Sequence, residues 1–172
     1  MNTEQMYDTA EHIKLIREAN LPLKKVEFYT EDLYGADFSG LALESAIFAD
    51  CTLEKCNFNN CTLNGANFNS AILKDCTFTN CKFSVASFNN ATAKNCNFAG
   101  ADFCLTQMQF ATFRETIFND TVFSNTDIFE TAFVSCPVVN ADFTAAKNLI
   151  TSVFSNLIGA KLPDWYCNVI PL

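Results

Sequence analysis

Apolar positions recur along this chain every five residues, a period that belongs to neither a strand nor a helix. Read from Ala36, the units run ADFSG, LALES, AIFAD, CTLEK, CNFNN, CTLNG, ANFNS, AILKD, CTFTN, CKFSV and ASFNN. They continue as ATAKN, CNFAG, ADFCL, TQMQF, ATFRE, TIFND, TVFSN, TDIFE, TAFVS, CPVVN and ADFTA. The third position is Phe, Leu, Met, Ile or Val except at Ala93, and the first is Ala, Cys or Thr except at Leu41. Fifteen of the 18 phenylalanines, from Phe28 to Phe143, stand at the third position, where random spacing would put a fifth of them. A half-buried strand alternates in twos, and an amphipathic helix repeats near 3.6 residues. One large and one small apolar residue in every five instead predict a solenoid whose short sides meet at tight turns. The third residue fills the centre and the first fits beside it. The other three, rich in Asn, Thr, Ser, Gly, Asp and Lys, suit turns and water.

The charges give an independent check. All 18 charged residues from Asp32 to Lys147 fall on the three outward positions. Ionised side chains avoid full burial unless paired, so the first and third columns must point inward. The frame slips near the C-terminus. AKNLI puts polar Asn148 at a centre, and TSVF is one residue short. SNLIG and AKLPD then resume the pattern with Leu157 and Leu162 as centres.

ADFSG, ANFNS, CNFAG and ADFCL resemble the repeat of the pentapeptide-repeat family, A-(D/N)-L-x-x with Phe allowed at the centre. The resemblance covers about residues 21–164 and implies an all-β fold, a right-handed quadrilateral β-helix with four units to a square coil. Residues one coil apart then stack at roughly the ~4.8 Å inter-strand spacing. The 22 units from Ala36 to Ala145 make five and a half coils, and LPLKK, VEFYT and EDLYG extend the frame upstream.

A solenoid leaves an apolar cross-section at each end, so caps are required. Met6, Ala10, Ile13 and Ile16 form one stripe of a helix over residues 3–19, which Asn20-Leu21-Pro22 ends. Residues 1–20 are therefore expected to be an N-terminal capping α-helix, and 21–164 the solenoid. Residues 165–172, apolar at Trp165, Val169, Ile170 and Leu172, are expected to be a C-terminal cap or dimer contact. The resemblance implies a homodimer through that end.

Composition narrows the chemistry. The net charge of −8 argues against direct binding to nucleic acid or an anionic membrane surface. Met1 to Asn20 lacks the apolar core of a signal peptide, and no apolar run approaches a membrane span, so a reducing cytoplasm is the expected compartment. Seven of the nine cysteines take the small first position, where Ala and Thr also occur. They read as structural filling, with no metal or cofactor expected, because zinc sites favour converging pairs two to four residues apart. His12 is the only histidine, and no phosphate loop, nucleophile elbow or paired catalytic carboxylate motif occurs. No enzyme is expected. The outward asparagines Asn57, Asn59, Asn60, Asn67, Asn69, Asn89 and Asn90 read as turn residues rather than sugar ligands.

A protein partner is the remaining expectation, in two forms. Relatives with the best-defined mechanism mimic duplex DNA and bind DNA gyrase or topoisomerase IV, conferring quinolone resistance. The resemblance then assigns the phosphate-like role to Glu44, Asp102 and Asp142 on one face and Asp50, Asp127 and Glu130 on the next. The charge is thin for this. Residues 31–150 carry 13 acidic and 6 basic side chains, a net of −7. Duplex DNA of the length of six coils, about 29 Å at ~4.8 Å each, carries roughly 17 charges. The alternative is a general docking or effector scaffold acting through an outward apolar patch. On the face of the units at 106, 126 and 146, Phe110 and Phe129 break the polar rule, followed by Leu149 and Ile150, with Val85 and Leu105 on the adjoining corner.

Overall fold

The computed structural model describes residues 26–28 and 32–169. Seven three- or two-residue strands stack in chain order into one parallel sheet: β1 (Asp32–Tyr34), β2 (Thr52–Glu54), β3 (Ile72–Lys74), β4 (Thr92–Lys94), β5 (Thr112–Arg114), β6 (Ala132–Val134) and β7 (Val153–Phe154). On the other three sides of each coil, single parallel bridges join second positions one coil apart, such as Asn57 to Thr77, Thr62 to Lys82 and Asn67 to Ser87. The result is a four-sided β-solenoid: the five-residue period predicts a solenoid, and the family resemblance implies its four sides.

The backbone explains why five residues make a side. The second-position N–H donates to the first-position carbonyl one coil back, as from Asn57 to Ala36 (2.9 Å). The third donates one coil on, from Phe58 to Thr77 (2.7 Å), and so does the fifth, from Asn60 to Thr79 (2.9 Å). The first-position N–H closes a tight turn on the centre three residues back, as from Cys61 to Phe58 (3.1 Å). That turn needs a positive φ at its third residue. Among the described residues nineteen non-glycine residues have φ between +51° and +62°, and all but Asn148 occupy the fifth position. After Leu53, Leu73, Ala93, Phe113 and Phe133 the turn bond is missing, and this is the side on which continuous strands form.

The interior is a set of phenylalanine columns. Phe38, Phe58, Phe78, Phe98 and Phe118 stack at 4.5–5.3 Å within 13° of parallel, and every one is fully buried. Neighbouring columns meet edge-to-face, as Phe58 does with Phe48 at 5.4 Å and 86°. Both geometries are favourable for aromatic quadrupoles. The first positions are small because these rings fill the cross-section.

The slip near the C-terminus differs in detail from the sequence reading. Asn148 turns outward with φ +60°, and Leu149 takes the interior at 1% exposure. Leu149 is therefore a core residue and no part of an outward patch. The pairs Ala132–Val153 and Phe133–Phe154 are 21 residues apart, so Phe154 becomes the centre and stacks on Phe133 at 4.7 Å. A spacing of 19 at Asp142–Lys161 takes out that extra residue and one more, so this coil is one residue short of twenty. Leu157 and Leu162 pack against the core as expected. Helix α1 (Asp164–Val169) follows and buries Tyr166. The capping helix expected at 1–20 lies outside the described residues.

Candidate protein-docking surface

The first-position side chains are small for packing, but they also carry a repeated polar task. The buried hydroxyls of Thr106, Thr126 and Thr131 donate to the carbonyls of Phe83 (2.8 Å), Phe103 (2.6 Å) and Met108 (2.7 Å). Each acceptor lies 23 residues upstream. The thiols of Cys61 and Cys81 repeat this bond to Phe38 (3.0 Å) and Phe58 (2.8 Å), and Cys76 and Cys136 to Leu53 (3.2 Å) and Phe113 (3.5 Å). Cys and Thr are therefore interchangeable parts: small bodies with a donor aimed at a centre-position carbonyl, whose second lone pair is free even where the turn N–H already takes the first. Burial pushes the Cys136 thiol up to about 11. From Cys51 to Cys136, Cys104 is partly exposed and the other seven cysteines are buried.

Asparagine has three outward roles. Asn60 and Asn90 take the left-handed corner. Asn57 and Asn67 accept the N–H of the fourth residue of their own unit, at 3.0 and 2.9 Å. Where the second position cannot do this, a fourth-position Asn one coil back does, as Asn59 for Thr79 (2.9 Å) and Asn89 for Gln109 (2.9 Å). These donors are the ones the coil ladder leaves over.

Half of the carboxylates proposed to stand in for phosphates are occupied in the same way. Asp102, Asp127 and Asp142 accept the N–H groups of Cys104 (2.9 Å), Phe129 (3.1 Å) and Thr144 (3.0 Å). Burial would raise the Asp127 carboxyl, but the side chains of Asn148 and Gln109 with the Phe129 N–H hold it below its ordinary value. The Thr144 hydroxyl and N–H hold Asp142 down likewise. In register, Lys82 is the bridge partner of Asp102, Lys147 of Asp127 and Lys161 of Asp142. Asp50 and Glu130 occupy left-handed corners with φ +59° and +51°, and Glu44 is half-buried. Each of these three aspartates thus has a lysine one coil away, and no continuous acidic column forms.

Exposed apolar side chains also occur elsewhere, at Tyr34, Ile72, Val122, Val139, Val153 and Ile158, but Val85, Leu105, Phe110 and Phe129 gather on one side and its two corners. Phe110 is 50% exposed and meets the half-buried ring of Phe129 at 5.5 Å and 85°. Across the same side, Val85 and Leu105 are exposed one coil apart. Between the pairs runs a polar seam in which Asn89 donates to Gln107 (3.3 Å), Gln109 to Asp127 (2.7 Å) and Asn148 to Asp127 (2.7 Å). Val85, Leu105 and Phe110 all have left-handed backbones, at φ +62°, +59° and +60°. That conformation suits Gly and Asn and is strained for bulky residues, most of all a β-branched one.

The stacked parallel coils define a β-solenoid. The sequence pattern of the pentapeptide repeat region matches residues 51–111, and that of pentapeptide repeats in eight copies matches residues 106–144. Together they span 94 of the 172 residues, and the chain belongs to the pentapeptide-repeat family. Among solved structures it is similar to HetL, a pentapeptide repeat protein involved in heterocyst differentiation regulation from the cyanobacterium Nostoc sp. strain PCC 7120. The identity is 14%, over 92% of this chain and 94% of that one, with a TM-score of 0.45. A pentapeptide repeat protein from the cyanobacterium Cyanothece 51142 is 18% identical over 77% and 88% of the two chains, with a TM-score of 0.50. Full-length QnrB1, a plasmid-mediated fluoroquinolone resistance protein, is 19% identical over 84% and 96%, with a TM-score of 0.28. No curated protein matches the sequence. No helix among the described residues is long and apolar enough to cross a membrane.

Proposed function

We propose that this chain is a non-catalytic scaffold that docks a protein partner through the side bounded by Val85, Leu105, Phe110 and Phe129. The observation that carries this reading is the conjunction of exposure and strain. Three bulky apolar side chains occupy solvent-facing left-handed corners where Asn or Gly would be more stable. Neither packing nor solubility accounts for that choice. A partner with an apolar strip would cover both pairs, and its polar groups would meet the seam of Asn89, Gln107, Gln109 and Asp127 between them.

Binding of DNA gyrase or topoisomerase IV by DNA mimicry is the second reading, and it rests on the acidic balance of the chain. Its six carboxylates are sparse, and three of them cap turns. One experiment separates the two readings. Partner capture from the native host is compared for the wild type, for Phe110→Ser with Phe129→Ser, and for a protein in which Glu44, Asp50, Asp102, Asp127, Glu130 and Asp142 become amides. Amides keep the turn-capping oxygen and remove only charge. The docking reading requires loss of the partner in the Phe variant and retention in the amide variant. Protection of gyrase from quinolone-stabilised cleavage by the wild type, lost in the amide variant, would establish the other.

A further inference from the structure

The side that carries the strands holds a second surface, unlike the rest of the molecule. Along β3, β4 and β5 the outward side chains form two rows, with the inward-facing centres Leu73 and Ala93 between them. One row is Ile72, Thr92 and Thr112, and the other is Lys74, Lys94 and Arg114. They wall a half-open trough of about 270 Å³. Three cations in direct register repel one another, and neighbouring acids relieve this only in part. Lys74 pairs with Glu54 at 2.9 Å, and Lys94 reaches Glu115 at only 3.9 Å with both side chains 58% exposed. Arg114 makes no ion pair among the described residues. Counting the outward charges at 54, 55, 74, 75, 94, 114 and 115, this strip is net +1 in a chain that is net −8.

We propose that this trough binds an extended peptide segment of a protein partner in which acidic and apolar residues alternate. An extended chain sends successive side chains to opposite sides. Laid along the rod, it turns its acidic residues to the Lys94–Arg114 wall and its apolar residues to the Ile72–Thr92–Thr112 wall. Coils at ~4.8 Å place Lys74 and Arg114 about 10 Å apart, the reach of roughly three extended residues. A nucleic-acid strand carries no apolar side chains for the second wall, and the net charge of the whole chain repels a polyanion. The residues involved are distinct from the Phe110–Phe129 side, so the two surfaces stand or fall separately.

The test uses a fluorescein-labelled octapeptide of alternating Glu and Val, followed by polarisation at low and physiological salt. A peptide of the same composition in two blocks and a single-stranded oligodeoxynucleotide of equal charge are the comparisons. The alternating peptide should bind roughly tenfold or more tightly than the block peptide. Lys94→Glu with Arg114→Glu should remove that binding, and Thr92→Trp, which fills the trough without changing charge, should do the same. Thermal midpoints should stay at the wild-type value. Absence of binding at low salt, equal binding of the block peptide or tighter binding of the oligonucleotide overturns the proposal. If the charge-reversed variant does not fold, undiminished binding by Thr92→Trp overturns it equally.

Discussion

Phe110 and Phe129 touch edge-to-face on the outside of the rod, 5.5 Å apart, in the geometry that Phe58 and Phe48 adopt within it. They are 19 residues apart, which brings a fifth position against the fourth position of the next coil. An aromatic pair that contributes nothing to the core should be removable without loss of fold. Phe110→Ser with Phe129→Ser should change the unfolding free energy by less than about 1 kcal/mol, the range of surface substitutions. Urea denaturation measures it, and a loss of several kcal/mol would show that the pair holds neighbouring coils together.

Inside the rod the opposite holds. Phe98 lies between Phe78 at 4.6 Å and Phe118 at 5.3 Å, fully buried. Phe98→Ala leaves a ring-sized cavity that adjacent coils, tied by their backbone ladder, cannot close. It should cost about 3–5 kcal/mol. A cost near that of a surface substitution would contradict the stacked column.

How much of this was legible follows from the same residues. Counting twenty residues from Phe78 places Phe98 in its column, and every centre from Leu33 to Phe143 is buried. The count failed at Asn148 because a periodic reading has no means of placing a single inserted residue. Only the stacking of Phe154 on Phe133 shows where it went. The sequence marks Asn59 and Asn89 as turn residues, but their reach to the next coil depends on which N–H groups the ladder leaves over. The cation row was present in the sequence, since Lys74, Lys94 and Arg114 are twenty apart.

The thiol pattern predicts which cysteines react. Cys104 should be alkylated first among the cysteines from Cys51 to Cys136, and Cys136, buried and pushed up to about 11, should be protected in the folded protein. Cys81→Thr should be tolerated within about 1 kcal/mol, because Thr106 makes the same bond to its own upstream carbonyl. Mass-resolved alkylation kinetics and thermal melts decide both. Equal rates at Cys104 and Cys136 would count against the inward column.

Acid sensitivity should trace to the turn-capping aspartates. Asp127 and Asp142 are held below the ordinary carboxylate value, so their contribution to stability is present above the unfolded value. It is lost as pH falls through the lower folded value. Asp127→Asn with Asp142→Asn keeps the acceptor oxygens and removes the titration, so the fall of the thermal midpoint with acidification should be shallower than in the wild type. An unchanged slope would place the acid sensitivity elsewhere.

The most direct test of the docking surface is the stability of a protein in which Val85, Leu105 and Phe110 are all replaced by Asn. These positions have φ +62°, +59° and +60° and are at least half exposed, so their apolar side chains strain the backbone and protect little surface from water. Asparagine tolerates the left-handed corner, and each exchange should stabilise the fold by up to about 1 kcal/mol. Equilibrium unfolding in urea should therefore show a triple variant more stable than the wild type, with an unchanged denaturant slope. A variant less stable than the wild type would mean that these side chains serve the fold, and the docking assignment would lose its basis.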